Sequence, residues 1–476
     1  MLLSEILFLG TVYILFRLFL KKEYRTWGIF LLSLITLFWF QPLSTIRHLD
    51  FWIPSFAILI AIIIWCIVND WKTLFMSSNR VALIVCLAIP GAIVFAQILA
   101  PEIIGYISTG PQIGKFLIIF LTGLVLAGLF SFSKGKEDRK SLFIFLILLG
   151  IFVIQKNTLF ALGFSRFFRK INGQTINLAN ASEIIWIGYS YLAFRMIHTI
   201  KDRDRIKKLN LSFNEFICYL FYSPSYIAGP IDTIFHFSKE LKQSRDDLIN
   251  DDILIGGKRI ARGLFLKFIL ADSLALFSLN EKIAKQIENP FWMWAVVFAY
   301  AFRLYFDFAG YSDIAIGISR LIGINLPENF LYPYRSTNIT LFWNRWHITL
   351  SQWFRTYYYN PLTRFIRTKF SGVPSWIVIL FAQLSTMMLI GMWHGISWNF
   401  FIWGVWNAVG MFIHNRWAYS HKINQTLQTP IEDQRHLLNY FSICITFVYI
   451  SLGWIWFSLP EVSLSIIVFK RLLFLD

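Results

Sequence analysis

Apolar runs about as long as a bilayer is thick leave this chain few folds to choose from. Such runs lie near 3–20, 27–40, 51–68, 81–99 and 113–132, each with few charges. About 20 residues of helix, rising 1.5 Å each, cross the ~30 Å hydrocarbon core. No water reaches that core, so only helices and closed barrels satisfy their backbone polar groups there. The runs are continuous rather than alternating, which selects helix over barrel strand. Further runs near 141–160, 181–200, 259–278, 291–321, 375–392, 396–415, 437–458 and 461–474 extend the pattern. The expected fold is all-α, a polytopic membrane bundle of about 11–14 segments. Neither a 20–50-residue repeat nor a soluble appended domain is evident.

Charge supports that reading. The 44 Lys and Arg against 27 Asp and Glu give a formal net charge of +17. In a soluble chain this would suggest nucleic acid. Here only 15% of residues are charged, against about 25% in soluble domains, and no basic helix or aromatic-basic sheet pattern supports nucleic-acid binding. The cations sit in short loops: Lys21, Lys22 and Arg25, then Lys72 and Arg80, then Lys134, Lys136, Arg139 and Lys140. The loops between, 41–50 and 100–112, carry few. By the positive-inside rule the N-terminus lies outside and the basic loops lie in the cytoplasm. Some of the charge can also face anionic lipid headgroups. The expected location is the inner (cytoplasmic) membrane, crossed many times. One stretch disagrees: Ser165–Lys170 should be an external loop by alternation, yet it is basic. The residues after the next run, 201–208, fit the cytoplasm again.

Cys66, Cys86, Cys218 and Cys444 lie in apolar runs without metal or disulfide spacing, so they read as small hydrophobes. Residues 1–5 lack a basic n-region, and 3–20 reads as an uncleaved first helix.

The middle of the chain is less regular. Residues 213–235 are apolar but contain Pro224, Gly229 and Pro230, which argues for a broken or re-entrant helix, tolerated only inside protein or beside a water-filled cavity. Residues 236–258 are polar and read as an amphipathic surface segment. In the run 291–321, Asp307 and Tyr311 are four residues apart and share a helix face. Residues 324–372 read as an aromatic-basic amphipathic stretch. There Asn344, His347 and Ser351 fall on one face if the segment is helical, and Trp346 is one of several tryptophans suited to an interface.

Two histidines stand out, His347 in Phe342–His347 and His394 in Gly391–Gly395. An ionisable residue at membrane depth is costly and marks function by default, and imidazole exchanges a proton near neutral pH. Acyl transfer from a thioester to a hydroxyl needs a base near the hydroxyl, donors for the oxyanion and a shield against water. His394 is the candidate base, with Gly391 and Gly395 allowing close backbone approach and Trp393 beside it. His347 and Asn344 are candidates to orient that base or to polarise the thioester carbonyl. No Ser or Cys nucleophile is evident, so direct transfer is simpler than a covalent relay. Two histidines are too few for zinc. The rival reading takes Asp307, His347 and His394 as the proton relay of a transporter or flippase, which should show an inverted repeat; none is evident.

Several motifs in order carry a family resemblance: Phe306–Gly317, Pro327–Phe330, Phe342–Ser351 and Trp393–Gly395, with Gly188–Tyr191 and Ala228–Ile231 as further positions. Together they resemble the membrane-bound O-acyltransferase family, in particular its bacterial branch of alginate O-acetylation and teichoic-acid D-alanylation proteins. The resemblance runs from about 140 to 415. It implies a helical bundle with a central funnel and re-entrant catalytic segments, His394 as the family's essential histidine and His347 as its second one. Thr356 and Asn407 depart from the pattern, which bears on substrate subclass. On this basis residues 1–135 are N-terminal transmembrane helices, with two apparently added spans at 81–132; 136–420 form the acyltransferase core and 421–476 the C-terminal helices.

The resemblance further implies that an acyl group, acetyl being favoured, moves from a cytoplasmic thioester toward hydroxyls of a cell-surface polysaccharide. The donor would be acetyl-CoA or an acyl carrier protein, a substrate rather than a bound cofactor. An extracytoplasmic acyltransferase or polysaccharide-synthesis protein would be the partner, and membrane lipids the surroundings. D-alanyl transfer to a teichoic-acid-type polymer from a carrier-protein thioester is the alternative within the family.

Overall fold

The computed structural model describes residues 3–99, 110–132, 137–243, 249–424 and 432–475. Among these every regular element is helical. Five helices are long and apolar enough to cross a membrane: Leu49–Val68, Ser77–Leu99, Ile113–Phe130, Ser375–His394 and Leu438–Ser458. A sixth joins them if Glu137–Lys156 and Thr158–Ile171 count as one bent span. The protein is a polytopic helical membrane protein. The other expected segments are largely helical too, but they are shorter, broken, more charged or, in Trp398–Asn424, more polar. The loop 100–112 lies mostly outside the described residues, as do Lys134 and Lys136.

The chain divides into two compact units, 1–257 with 315–326, and 258–314 with 327–476. In the first, Leu3–Phe19, Lys22–Trp39, Leu49–Val68, Ser77–Leu99 and Ile113–Phe132 follow the expected runs. A buried charge cluster ties distant parts of this unit together. Arg17, with a fully buried side chain, donates to Asp252 at 2.7 Å, and Arg320 pairs with the same carboxylate at 2.5 Å. Arg25 donates to the Arg17 carbonyl at 3.0 Å. Removing one member of such a cluster leaves a buried charge uncompensated.

The basic stretch that broke the alternation is a helix, not a loop. Thr158–Ile171 turns 98° from Glu137–Lys156, with Asn157 accepting from Leu159 and Phe160 N–H at its start. Ala161, Ser165 and Arg169 face inward, while Phe160, Phe167 and Ile171 are exposed. At ~100° per residue, Arg166 and Lys170 lie on a different flank from these apolar side chains. Charges on such a helix do not report a loop's side, because the alternation rule counts only residues between spans. Inside, the Arg169 guanidinium grips Glu183, which also accepts from the Ser165 and Thr45 hydroxyls.

The run expected near 181–200 is shorter. Ile176–Leu178 and Ala181–Glu183 form two 3-10 turns, and the helix Tyr189–Lys201 has 13 residues, ~20 Å in length and too short to span. Residues 213–235 are broken as expected: Phe213–Phe221, a single turn Ser223–Tyr226, an extended stretch, then Ile234–Lys242. Arg195, 2% exposed, makes that break tolerable. Its guanidinium donates to the carbonyls of Tyr219, Leu220 and Ser225, each at 3.0 Å, and to Ser225 Oγ at 2.6 Å. One side chain thus satisfies the carbonyls that a helix end leaves open. The polar stretch 236–258 is two helices, Ile234–Lys242 and Ile249–Leu264; of its charges, Arg245, Asp246 and Asp247 lie outside the described residues.

In the second unit, the helix after residue 258 passes into a π segment, Phe265–Ala271. Helix Pro290–Leu321, 32 residues long, supplies residues to both units. Helices Ser375–His394 and Trp398–Asn424 run together at backbone contact. A Cβ at Gly391 would lie 2.2 Å from the Phe400 carbonyl oxygen, and one at Gly404 2.5 Å from that of Met387. Small residues permit such approach between membrane helices. Glu432–Ser458 and Val462–Leu472 close the unit over a core that includes Met293, Val297, Ile455, Leu459 and Val468.

Candidate active site

Residues 324–372 are not one amphipathic helix. A turn at Pro333–Arg335 is followed by Ile339–Arg345, Ile348–Phe354, a π segment Arg355–Tyr359, and Asn360–Lys369. The break between the first two helices falls at His347, whose φ is 43°. Non-glycine residues rarely enter this left-handed region, and they do so where surrounding contacts hold them. Asn344 and His347 therefore sit on different elements and do not share a helix face, contrary to the expectation from spacing. A period count presumes unbroken helix, and the left-handed turn resets it.

What holds His347 is Asn329, from the Pro327–Phe330 motif. His347 Nδ1 lies 3.0 Å from Asn329 Oδ1. The Thr349 hydroxyl and N–H reach the same oxygen at 2.9 and 3.4 Å. Ile348 N–H donates to the Asn329 carbonyl at 2.9 Å, and Asn329 Nδ2 donates to Ser312 Oγ at 3.2 Å. Both Asn329 and His347 are buried.

His394 is the last residue of helix Ser375–His394. Its ring meets Trp393 at 4.5 Å, Phe457 at 4.7 Å and Trp403 at 5.7 Å between centroids, and stacks on Phe400 at 6.1 Å. His347 meets Phe308 edge-on at 4.7 Å and Trp393 at 6.1 Å, so Trp393 touches both imidazoles.

The two histidines line one cavity of about 40 Å³. Trp346 and Ser351 line it too, and Phe308, Trp343, Trp403, Trp454 and Phe457 complete an almost wholly apolar wall. A water needs ~10–15 Å³ of such volume. The space suits a small reacting centre rather than a sugar, and its lining is mostly aromatic.

The other sequence candidates lie elsewhere. Tyr311 is buried, but Asp307 is about half-exposed in its ion pair with Lys267, so sharing a helix face does not give the two a common environment. Asn344 is exposed and accepts from Arg355 at 2.7 Å. Neither Asp307, Tyr311 nor Asn344 lines the cavity. The remaining described histidines have separate surroundings: His48 precedes helix Leu49–Val68, His198 contacts Tyr219, His236 pairs with Asp232, and His414 contacts Thr340. The side chains of His421 and His436 lie outside the description. Among the described residues no three His, Cys, Asp or Glu side chains group as metal ligands.

Two functional candidates were missed by sequence reasoning. Asn329 stands in the Pro327–Phe330 motif, but nothing local links it to a histidine eighteen residues away. Asn407, noted as a departure, accepts from Trp343 Nε1 at 3.2 Å and donates to the Trp403 carbonyl at 2.9 Å. It fixes the Trp343 indole of the wall and anchors itself to the main chain of its own helix.

A helical membrane protein with two imidazoles lining one small aromatic cavity has the groups for proton-assisted group transfer. The family model MBOAT, the membrane-bound O-acyltransferase family, matches residues 198–455, more than half of the chain. The protein belongs to the membrane-bound O-acyltransferase family. It is 33% identical over 267 residues to the peptidoglycan O-acetyltransferase of Helicobacter pylori, across 56% of this chain and 47% of that protein. It is 34% identical over 264 residues to the teichoic acid D-alanyltransferase of Streptococcus thermophilus, across 52% and 61%. It is 36% identical over 235 residues to the probable alginate O-acetylase of Azotobacter vinelandii, across 48% and 44%. The matched stretch spans about half the length of these curated relatives.

Proposed function

We propose that this protein transfers an acyl group, acetyl in the favoured case, from a cytoplasmic thioester toward hydroxyls of a cell-surface polysaccharide, with His394 as base. The observation that carries this reading is the cavity that brings His394 and His347 together behind an aromatic wall. The hydroxyl oxygen attacks the thioester carbonyl carbon while its proton passes to the His394 imidazole. The carbon–sulfur bond then breaks as the new ester forms, and the departing sulfur takes the proton back. Exclusion of water protects the thioester from hydrolysis. Acetyl-CoA or an acyl carrier protein is the donor, and an extracytoplasmic acyltransferase or a polysaccharide-synthesis protein receives or completes the transfer. The protein works in the inner (cytoplasmic) membrane.

D-alanyl transfer to a teichoic-acid-type polymer is the second reading, supported by the 34% identity to a relative named for that reaction. Membership of an acyltransferase family weighs against the transporter reading. The test is ester-linked acyl released by mild base from surface glycan, in cells carrying His394→Ala at equal protein abundance. Loss of the ester supports the assignment; unchanged ester rejects it. Identifying the released acid separates acetate from D-alanine.

A further inference from the structure

The amide of Asn329 has only one orientation that satisfies its neighbours. The Thr349 backbone N–H can only donate, so the atom it reaches at 3.4 Å must be the amide oxygen. The Thr349 hydroxyl donates to that oxygen at 2.9 Å, and the amide nitrogen is left to donate to Ser312 Oγ at 3.2 Å. With the oxygen so placed, the 3.0 Å contact to His347 Nδ1 requires a proton on Nδ1. A neutral imidazole carries one ring proton, so the lone pair lies on Nε2. The same asparagine braces the left-handed backbone at His347 through the Ile348 N–H to Asn329 carbonyl bond of 2.9 Å. Side chain and main chain of one residue thereby fix both the place and the tautomer of a cavity-lining ring.

We propose that Asn329 is a positioning residue for acyl transfer, holding His347 in the Nδ1–H form so that Nε2 is a hydrogen-bond acceptor beside His394. This separates two roles that the sequence left open for His347. Polarising the thioester carbonyl or stabilising its oxyanion needs an N–H donor, which Nε2 in this tautomer lacks. Orienting the base, or the alcohol that the base deprotonates, needs an acceptor, which it supplies. The functional consequence rests on the acyl-transfer reading; the tautomer does not.

The experiment is nitrogen-15 NMR of the full-length protein, histidine-labelled, in detergent or bilayers, with His347→Gln used to identify the His347 signals. The two neutral tautomers give distinct ring-nitrogen shifts. The wild-type protein should show protonated Nδ1 and unprotonated Nε2 at His347. Asn329→Ala should move the proton to Nε2 or mix the forms, and lower acyl transfer by about 10²-fold or more. Asn329→Asp keeps an acceptor at the same place and should retain the tautomer and recover part of the rate. A wild-type Nε2–H signal would overturn the proposal, and this result does not depend on whether Asn329→Ala folds. So would a folded Asn329→Ala protein with unchanged tautomer and rate. The expected tautomer in a protein that transfers no acyl group would overturn the catalytic role while the geometry stood.

Discussion

Gly391→Ala places a methyl group where two helices already touch. The new Cβ would lie 2.2 Å from the Phe400 carbonyl oxygen and 3.4 Å from the Trp403 ring. The first contact is with backbone, so no rotamer change relieves it. Ordinary contact requires about 1 Å of separation between Ser375–His394 and Trp398–Asn424 near this point. Overpacking of this kind costs ~1–3 kcal/mol, which lowers the melting temperature without unfolding the protein. The larger effect falls on chemistry. Gly391 is one helical turn before His394, and Phe400 and Trp403 both contact the His394 ring. A displacement of about 1 Å at a reacting group costs ~10²-fold in rate. Acyl ester formed on surface glycan, normalised to folded protein and measured well below the melting transition, should fall by that order. Gly150→Ala is the control, because nothing lies within 4 Å of its added Cβ. A Gly391→Ala protein with full rate and unchanged melting temperature would refute the view that the helix contact sets the position of His394.

Arg195→Leu should destabilise the first unit by roughly 3–5 kcal/mol, because it strips the carbonyls of Tyr219, Leu220 and Ser225 of a buried charged donor; thermal melting in detergent reads this, and a loss below about 1 kcal/mol would contradict it. Glu183 gives a pH signature. The Arg169 guanidinium, helped by the Ser165 and Thr45 hydroxyls, lowers its carboxyl from 4.5 to about 2. A depressed carboxyl contributes stability that is whole above its unfolded value and is lost as pH falls through the folded one. The stability gap between wild type and Glu183→Gln should thus be constant above about pH 5 and shrink as pH drops toward 2; a gap that widens on acidification would contradict the assignment.

The parts of the fold legible in the sequence were those set by hydrophobic length and by proline. Leu49–Val68, Ser77–Leu99 and Ser375–His394 follow their apolar runs because backbone in hydrocarbon has no alternative to helix. The break after Phe221 was announced by Pro224, Gly229 and Pro230. The turn at His347 was not announced, since neither proline nor glycine stands there. It is imposed by Asn329, which is distant in sequence, and so Asn344 was grouped with His347 on a face that does not exist. Likewise the basic run Ser165–Lys170 defeated the alternation count because a 98° bend lays its helix across the preceding one. His394 and His347 were legible because imidazole is conspicuous in apolar surroundings. Asn407 and Asn329 act through other side chains, and no local pattern marks that.

The most direct test of the central claim uses purified protein in liposomes, supplied with an acyl thioester and an alcohol acceptor. The account predicts that wild type forms one ester for each thioester consumed, and that His394→Gln forms none at equal folded protein. Ester formation by His394→Gln at the wild-type rate would contradict it.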